Sequence, residues 1–152
     1  MITSTMGTRS RVVIKSESKK DIVLWIQYDG YLEGVGNSLC MNMRKLLDRY
    51  TVEQLKKMAS NIKPKSLHDD VVTEYFKVDK IVPMFEGTYV PYQDECDDYA
   101  YEYVIDMTKE HVGFRLIYTQ LDILLIINFD DIKKGLLLSE VYNRHIYNSS
   151  DN

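Results

Sequence analysis

Two consecutive segments of the chain repeat apolar residues at the spacing of an α-helix. In the first, apolar side chains recur at i, i+1, i+4, i+7, i+8 and i+11: Leu39, Cys40, Met43, Leu46, Leu47 and Tyr50. In the second they are Val52, Leu55, Met58 and Ile62. These stripes predict two amphipathic helices, 37–49 and 51–62, that pack across one face of a sheet.

The residues that border these stripes predict where each helix begins and ends. Asn37 or Ser38 is suited to cap the first helix. Thr51 begins the second, and Gln54 three residues later completes a capping-box pattern. Pro64 ends it, because proline cannot continue a helix.

Strand patterns flank the helices on both sides. RSRVVIK and DIVLWIQY predict an antiparallel hairpin near the N-terminus. YAYEYVIDM, VGFRLIYT and ILLIINF predict three late strands, and ILLIINF is apolar throughout, which is typical of a central strand. DIKKGLLLSEVY predicts a closing helix capped by Asp130.

The order of these elements predicts one α+β domain over residues 1–152, with antiparallel strand pairing. Residues 1–8 are small and polar, and we expect them to be disordered. SLHDDVVTEYF is compatible with a short helix, and the rest of 62–92 has no clear pattern.

Composition narrows the function classes. A chain of 152 residues that is 45% hydrophobic can bury a core of its own. A net charge of −4 argues against a general electrostatic grip on DNA or RNA. The apolar run ILLIINF is too short to span a bilayer. We therefore expect a soluble intracellular protein with Cys40 and Cys96 as free thiols.

The stretch YDGYLEGVGN, 28–37, lies between a predicted strand and a predicted helix. Its glycines, Gly30, Gly34 and Gly36, match neither the dinucleotide fingerprint nor a Walker loop. They fit two structures: backbone N–H groups that cradle an anion, or a tight turn with a left-handed helix entry. Asp29 likewise is suited to act as a base, to accept hydrogen bonds from ribose hydroxyls, or to accept backbone hydrogen bonds in its own turn.

Tyrosine is unusually frequent, with 12 in a chain of 152 residues. Tyr99, Tyr101 and Tyr103 alternate on one face of a predicted strand, either packed beneath the helices or available as a stacking platform for bases. Tyr28 and Tyr31 are further candidates to stack on adenine. Because aromatic residues are enriched at interface cores, this usage also predicts a homo-oligomer, at least a dimer.

Arginines supply the predicted charge partners for a phosphate. The guanidinium fork matches phosphate geometry, and the candidates are Arg9, Arg11 and Arg115.

Patterns for metal binding or catalysis are absent from the sequence. The acids and histidines lack the spacing of calcium or zinc sites: Asp94, Glu95, Asp97, Asp98, His68, His111 and His145. No nucleophile–base pair stands out either. We therefore expect no metal, no cofactor and no catalytic residue, which favours a binding protein over an enzyme.

Several of these motifs together resemble a known group of proteins. TRS at 8–10, the alternating strand, the YDGYLEGVG turn and the long amphipathic helix resemble small phage and prophage proteins that include the phage-encoded anti-Thoeris proteins. The resemblance covers about the first 50 residues, and YAYEYVIDM is similar more loosely.

The resemblance implies a sponge for a signalling nucleotide. Such proteins act in the cytoplasm of the infected bacterium, where they bind and sequester a TIR-derived cyclic ADP-ribose isomer without cleaving it. They are homo-oligomers with ligand pockets at subunit interfaces, and some also hold cyclic oligonucleotides. Two other functions stay open from the residues: a nucleotide phosphodiesterase or hydrolase, and a protein–protein inhibitor of a host factor.

Overall fold

The computed structural model describes residues 8–18, 20–66, 76–93, 99–116 and 124–150. These residues form an α+β domain whose described strands include a five-stranded mixed sheet. The strands of that sheet are β1 (Ser10–Lys15), β2 (Ile22–Ile26), β5 (Tyr101–Asp106), β6 (His111–Leu116) and β7 (Leu124–Asn128). The helices are α1 (Asn37–Arg49), α2 (Val52–Ser60), α3 (Ile81–Phe85), α4 (Phe129–Lys133) and α5 (Leu138–Ser150). Two short strands, β3 (Lys65–Ser66) and β4 (Tyr92–Gln93), pair separately.

The five-stranded sheet is mixed, and the prediction of antiparallel pairing was wrong for two strand pairs: β1 with β5, and the separate short pair of β3 and β4, which is also parallel. The strand order of the five-stranded sheet is β2-β1-β5-β6-β7. The predicted hairpin of β1 and β2 is confirmed, and β5–β6–β7 pair antiparallel. β5, however, lies parallel to β1. The long connection that carries the helices returns the chain beside β1 in the same direction, as parallel pairing requires.

The core lies between the sheet and the helices. One row of buried side chains crosses all five strands in register: Leu24, Val12, Tyr103, Phe114 and Leu125. The buried residues of α1 join the same apolar cluster: Leu39, Cys40, Met43, Leu46 and Leu47. Cys40 is a free thiol as expected, and burial raises its pKa to about 11.

The predicted N-cap is confirmed for α2 and wrong for α1. The capping box of α2 is confirmed, since Gln54 N–H donates to Thr51 Oγ1 at 3.1 Å and Thr51 N–H donates to Gln54 Oε1 at 2.8 Å. The cap predicted for α1 at Asn37 or Ser38 is wrong. A π-helical turn, Leu32–Gly36, precedes α1 and runs directly into it.

Asn37 contacts a distant helix instead. Its side-chain amide donates to Ser139 Oγ at 2.9 Å, and its Oδ1 accepts from the Ser139 N–H at 3.1 Å. Ser139 is the second residue of α5, whose first N–H groups have no partner within the helix. Asn37 thus caps α5 rather than α1.

Two predictions for the C-terminal third were wrong. β7 is an edge strand and not a central one. The closing helix is two helices, because Gly135 takes a left-handed φ of 98° and separates α4 from α5. Asn128, not Asp130, occupies the position before α4.

Part of the sequence lies outside the described residues: Cys96, the acids at 94–98, His68, residues 1–7 and most of SLHDDVVTEYF. Within the described ranges, no helix has the length and apolar character that a membrane span requires.

Candidate functional site

A cleft of about 750 Å³ opens beside β2. Three parts of the chain enclose it: the end of β2 with the turn after it, the π-helical turn that leads into α1, and the segment 76–80. Its lining residues are Ile26, Gln27, Tyr28, Asp29, Gly34, Val35, Ser38, Phe76, Lys77, Val78, Asp79, Lys80 and Tyr89.

Asp29 directs the chain from β2 into the helical turn. It takes a left-handed φ of 58°, which aspartate tolerates better than most residues. Its carbonyl accepts the Val35 N–H at 2.8 Å, so the strand end is tied to the helical turn across six residues. The expected left-handed residue is therefore Asp29, and none of the three predicted glycines takes that conformation.

The glycines allow close backbone packing. A Cβ at Gly34 would lie 2.2 Å from the Asp29 carbonyl oxygen, and one at Gly30 would lie 2.7 Å from Ser10 Cβ. Their amides are engaged: Gly34 and Gly36 N–H donate to the Tyr31 carbonyl, and Gly30 N–H donates to Thr8. Of the two structures predicted for these glycines, the tight turn fits and the anion cradle does not, because the N–H groups that a cradle needs already have backbone partners.

Aromatic rings form one wall of the cleft. The centroids of Phe76 and Tyr89 are 6.2 Å apart, with their planes tilted by 57°. The Phe76 N–H donates to the Trp25 carbonyl at 3.1 Å, which fastens this segment to the outer edge of β2. Tyr28 is 55% exposed and leaves its ring accessible from the cleft.

Charges of both signs line the same space. Lys77, Asp79 and Lys80 lie on the 76–80 segment, and the Lys80 Nζ sits 5.6 Å from the centre of the Tyr89 ring. Asp29 lines the cleft from the turn after β2, and its Oδ1 accepts from the Tyr31 hydroxyl at 3.3 Å. The Asp29 carboxylate raises the pKa of the Tyr31 phenol, which therefore stays protonated and keeps donating.

The predicted arginines lie elsewhere. Arg11 contacts Glu102 through its Nε and a terminal nitrogen, each 3.0 Å from Oε2, and its guanidinium lies 5.1 Å from the centre of the Tyr99 ring. Arg115 is exposed on the same face of the sheet, where Glu102 separates it from Arg11. Arg9 lies 5.6 Å from the Trp25 ring. This face is opposite to the one that packs against α1, because side chains alternate along a strand.

The three tyrosines predicted to share a strand face, Tyr99, Tyr101 and Tyr103, do not all lie in the same environment. Tyr103 is fully buried, and its hydroxyl donates to the Gly30 carbonyl at 2.6 Å. Burial raises its pKa well above the ordinary value, so the phenol stays neutral. Tyr101 stacks on Phe114 with centroids 5.7 Å apart. The packing interpretation holds for these two, whereas Tyr99 precedes the strand and lies under Arg11.

The structure places three of the predicted site residues together in the cleft: Tyr28, Asp29 and Gly34. The lining residues of FKVDK, 76–80, were not predicted, since they lie in a region that has no clear pattern. No helical periodicity could have identified them, because Lys77 has an extended backbone and only Val78–Lys80 forms a helical turn.

Among the described residues, no group of three or more histidine, cysteine or acidic side chains is arranged to hold a metal ion. Comparison of the chain with protein-family models, with curated proteins and with solved structures found no match. The function must therefore be argued from the cleft itself.

Proposed function

We propose that this protein binds a cyclic ADP-ribose-type nucleotide in the cleft beside β2 and holds it without cleaving it. One observation carries the proposal: two lysines, several aromatic rings and two carboxylates, Asp29 and Asp79, line one space of about 750 Å³. Pockets for small organic ligands have volumes of about 300–1,000 Å³, with apolar walls and a few placed polar groups.

Each type of group has a counterpart in such a ligand. Lys77 and Lys80 attract the phosphates, as lysine does at many phosphate sites. The rings of Tyr28 and Tyr89 offer apolar faces for adenine, since stacking on aromatic side chains suits any base. Phe76 is buried beside Tyr89 and supports its ring. Asp29 accepts hydrogen bonds from ribose hydroxyls. The proposal thus assigns the phosphates to lysines of the cleft rather than to Arg9, Arg11 or Arg115.

The resemblance of the N-terminal third to anti-Thoeris proteins gives this binding a biological role. In the proposal, the protein is a phage anti-defence factor in the cytoplasm of the infected bacterium, where it removes the TIR-derived signal by sequestration. It acts as a homo-oligomer. Each protomer carries one such cleft, so we expect one nucleotide per protomer.

A thermal-shift panel tests the binding. The panel contains cyclic ADP-ribose isomers, linear ADP-ribose, NAD and cyclic dinucleotides. A ligand at 100 times its dissociation constant stabilises a protein by about 2.7 kcal/mol, so a bound nucleotide raises the melting temperature clearly. If no nucleotide of the panel raises it, the proposal is wrong, and a protein–protein inhibitor becomes the better hypothesis.

A variant series locates the site. Lys77→Gln and Lys80→Gln should each weaken binding by roughly 1.5–3 kcal/mol, the usual contribution of a hydrogen bond to a charged group. Lys57→Gln on α2 removes the same charge from an exposed position outside the cleft and should leave the affinity unchanged. Equal losses in all three variants would indicate a general charge effect and not a site.

A second variant separates ligand contact from backbone geometry at the turn. Asp29→Gly removes the carboxylate but keeps a residue that adopts φ of 58° without strain. We expect weaker binding of ribose-containing ligands with unchanged folding. If the affinity of Asp29→Gly equals that of the wild type, the carboxylate serves only the turn.

Recovery of the ligand distinguishes a sponge from an enzyme. The loaded protein is denatured by heat, and the released nucleotide is identified by chromatography and mass. We expect the intact cyclic nucleotide. An altered nucleotide would replace the proposal with a phosphodiesterase or hydrolase.

A further inference from the structure

The two edge strands of the five-stranded sheet differ in the backbone hydrogen bonds that their outer sides make. At the β2 edge, the Phe76 N–H donates to the Trp25 carbonyl and the 76–80 segment lies alongside. At the β7 edge, β7 pairs with β6 on one side, and its other side makes no backbone hydrogen bond to any residue in the described ranges. A free strand edge presents a row of N–H and C=O groups that can pair with another strand.

Within β7 itself, the residue types that usually protect such an edge are missing. Its sequence, LLIIN, contains no charge, no proline and no glycine. Natural edge strands are commonly shielded by lysine, proline, a bulge or a covering segment. Ile126, at the centre of β7, is 46% exposed on the sheet face opposite the helices. Its neighbour in β6 is Gly113, which has no side chain to cover it.

We propose that the outer edge of β7 pairs antiparallel with the same strand of a second copy of this chain, about a two-fold axis at Ile126. This register is the one that pairs all five residues of β7, since Leu125 then faces Ile127 and Leu124 faces Asn128 of the other copy. In this register, side chains from the helix side of one sheet lie beside side chains from the helix side of the other, since Leu125 and Ile127 are both buried on that side.

The side chains on the sheet face opposite the helices support the same partner. Val23, Val13, Val104, Gly113 and Ile126 form a row in register across all five strands. The row ends at the half-exposed Ile126. A two-fold axis at this residue places the Ile126 side chains of the two copies against each other and continues the apolar row into the second sheet. Directly opposed apolar pairs of this kind stabilise antiparallel sheets.

The first test measures mass in solution by sedimentation velocity over a range of concentrations. We expect the wild type to have twice the mass of one chain. Ile126→Lys places two ammonium groups at the axis and should raise the dimer dissociation constant at least about a hundredfold. Met41→Lys makes the same change on α1, at a residue that is 50% exposed, and should stay dimeric. A monomeric wild type, or a dimeric Ile126→Lys, overturns the proposal.

The second test does not depend on how well a lysine is tolerated. Residues directly opposite in an antiparallel pair have Cα atoms about 4.5–5.5 Å apart, within the range that a disulfide spans. Ile126→Cys should therefore form a covalent dimer under mild oxidation, and Met41→Cys should not. No cross-link at position 126, or an equal one at position 41, contradicts the pairing. Nucleotide binding at the β2 edge is measured separately, so its failure would leave this inference standing.

Discussion

The core beneath α1 and the cleft beside β2 share the stretch Tyr28–Gly36, and they use it in different ways. On the core side, Gly30 accepts from Tyr103 and Gly36 packs against the same ring. On the cleft side, Tyr28 and Asp29 are exposed. One glycine-rich turn thus packs into the core on one side and presents polar groups to the cleft on the other.

This division affects which substitutions report on function. An alanine Cβ at position 36 would lie 3.1 Å from Tyr103 Cε1, so Gly36→Ala disturbs the core and reports little about the cleft. Tyr28 and Asp29 on the cleft side can be changed with less effect on folding, because their side chains are exposed. The following variants test this contrast by measuring stability on each side.

The largest effect is expected in the core at Leu46. This side chain is fully buried in α1, so Leu46→Asp places an unpaired carboxylate among apolar side chains and should cost several kcal/mol, more than about 3. Urea unfolding measures the loss. Lys45→Asp, at an exposed position one residue earlier, is the control and should be tolerated. Wild-type stability of Leu46→Asp would mean that α1 does not pack as described.

A smaller loss of folding stability is expected at Tyr103, where the core meets the turn 28–36. Tyr103→Phe removes the hydroxyl that donates to the buried Gly30 carbonyl at 2.6 Å, and should cost about 1–2 kcal/mol. Tyr28→Phe makes the same change in the cleft at a residue that is 55% exposed. We expect its unfolding curve to match the wild type. Equal losses in the two variants would break the contrast between core and cleft.

The hydrogen bonds between Asn37 of α1 and Ser139 of α5 should contribute about 1 kcal/mol to the free energy of unfolding. Asn37→Ala removes the side chain that accepts the Ser139 N–H, and loss of a helix cap typically costs about that much. Asn37→Asp keeps an acceptor for the same N–H and should restore most of the stability. Thermal unfolding measures both, and hydrogen exchange at Ser139 identifies where protection is lost. Unchanged exchange in Asn37→Ala would mean that α5 does not depend on this cap.

The smallest effect on stability is expected for the lysines of the cleft. Lys77 and Lys80 are exposed, and their joint replacement by glutamine should leave the melting temperature of the free protein within experimental error. The same variant should show a reduced thermal shift with nucleotide. A large loss of stability without ligand would assign these lysines to the fold.

Several elements were predictable because their signals are local. The capping box at Thr51, the stripe of α1 and the hairpin of β1 and β2 depend on residues within a few positions of one another. Three lining residues of the cleft were also found, since Tyr28, Asp29 and Gly34 belong to one contiguous turn. The segment 76–80 was missed because its pairing with the β2 edge involves a backbone contact that leaves no pattern in the side chains.

The sequence by itself determined where α1, α2 and the five strands of the large sheet form, because periodicity, caps and turn residues act over one or two turns of chain. Only the tertiary structure decided that β5 runs parallel to β1, that β7 lies at an edge, and that Asn37 caps a helix 102 residues away. It also decided that Tyr103 meets Gly30 across 73 residues rather than facing a ligand. The reason is physical: a buried polar group must find a partner, and a distant residue can supply it as well as a near one.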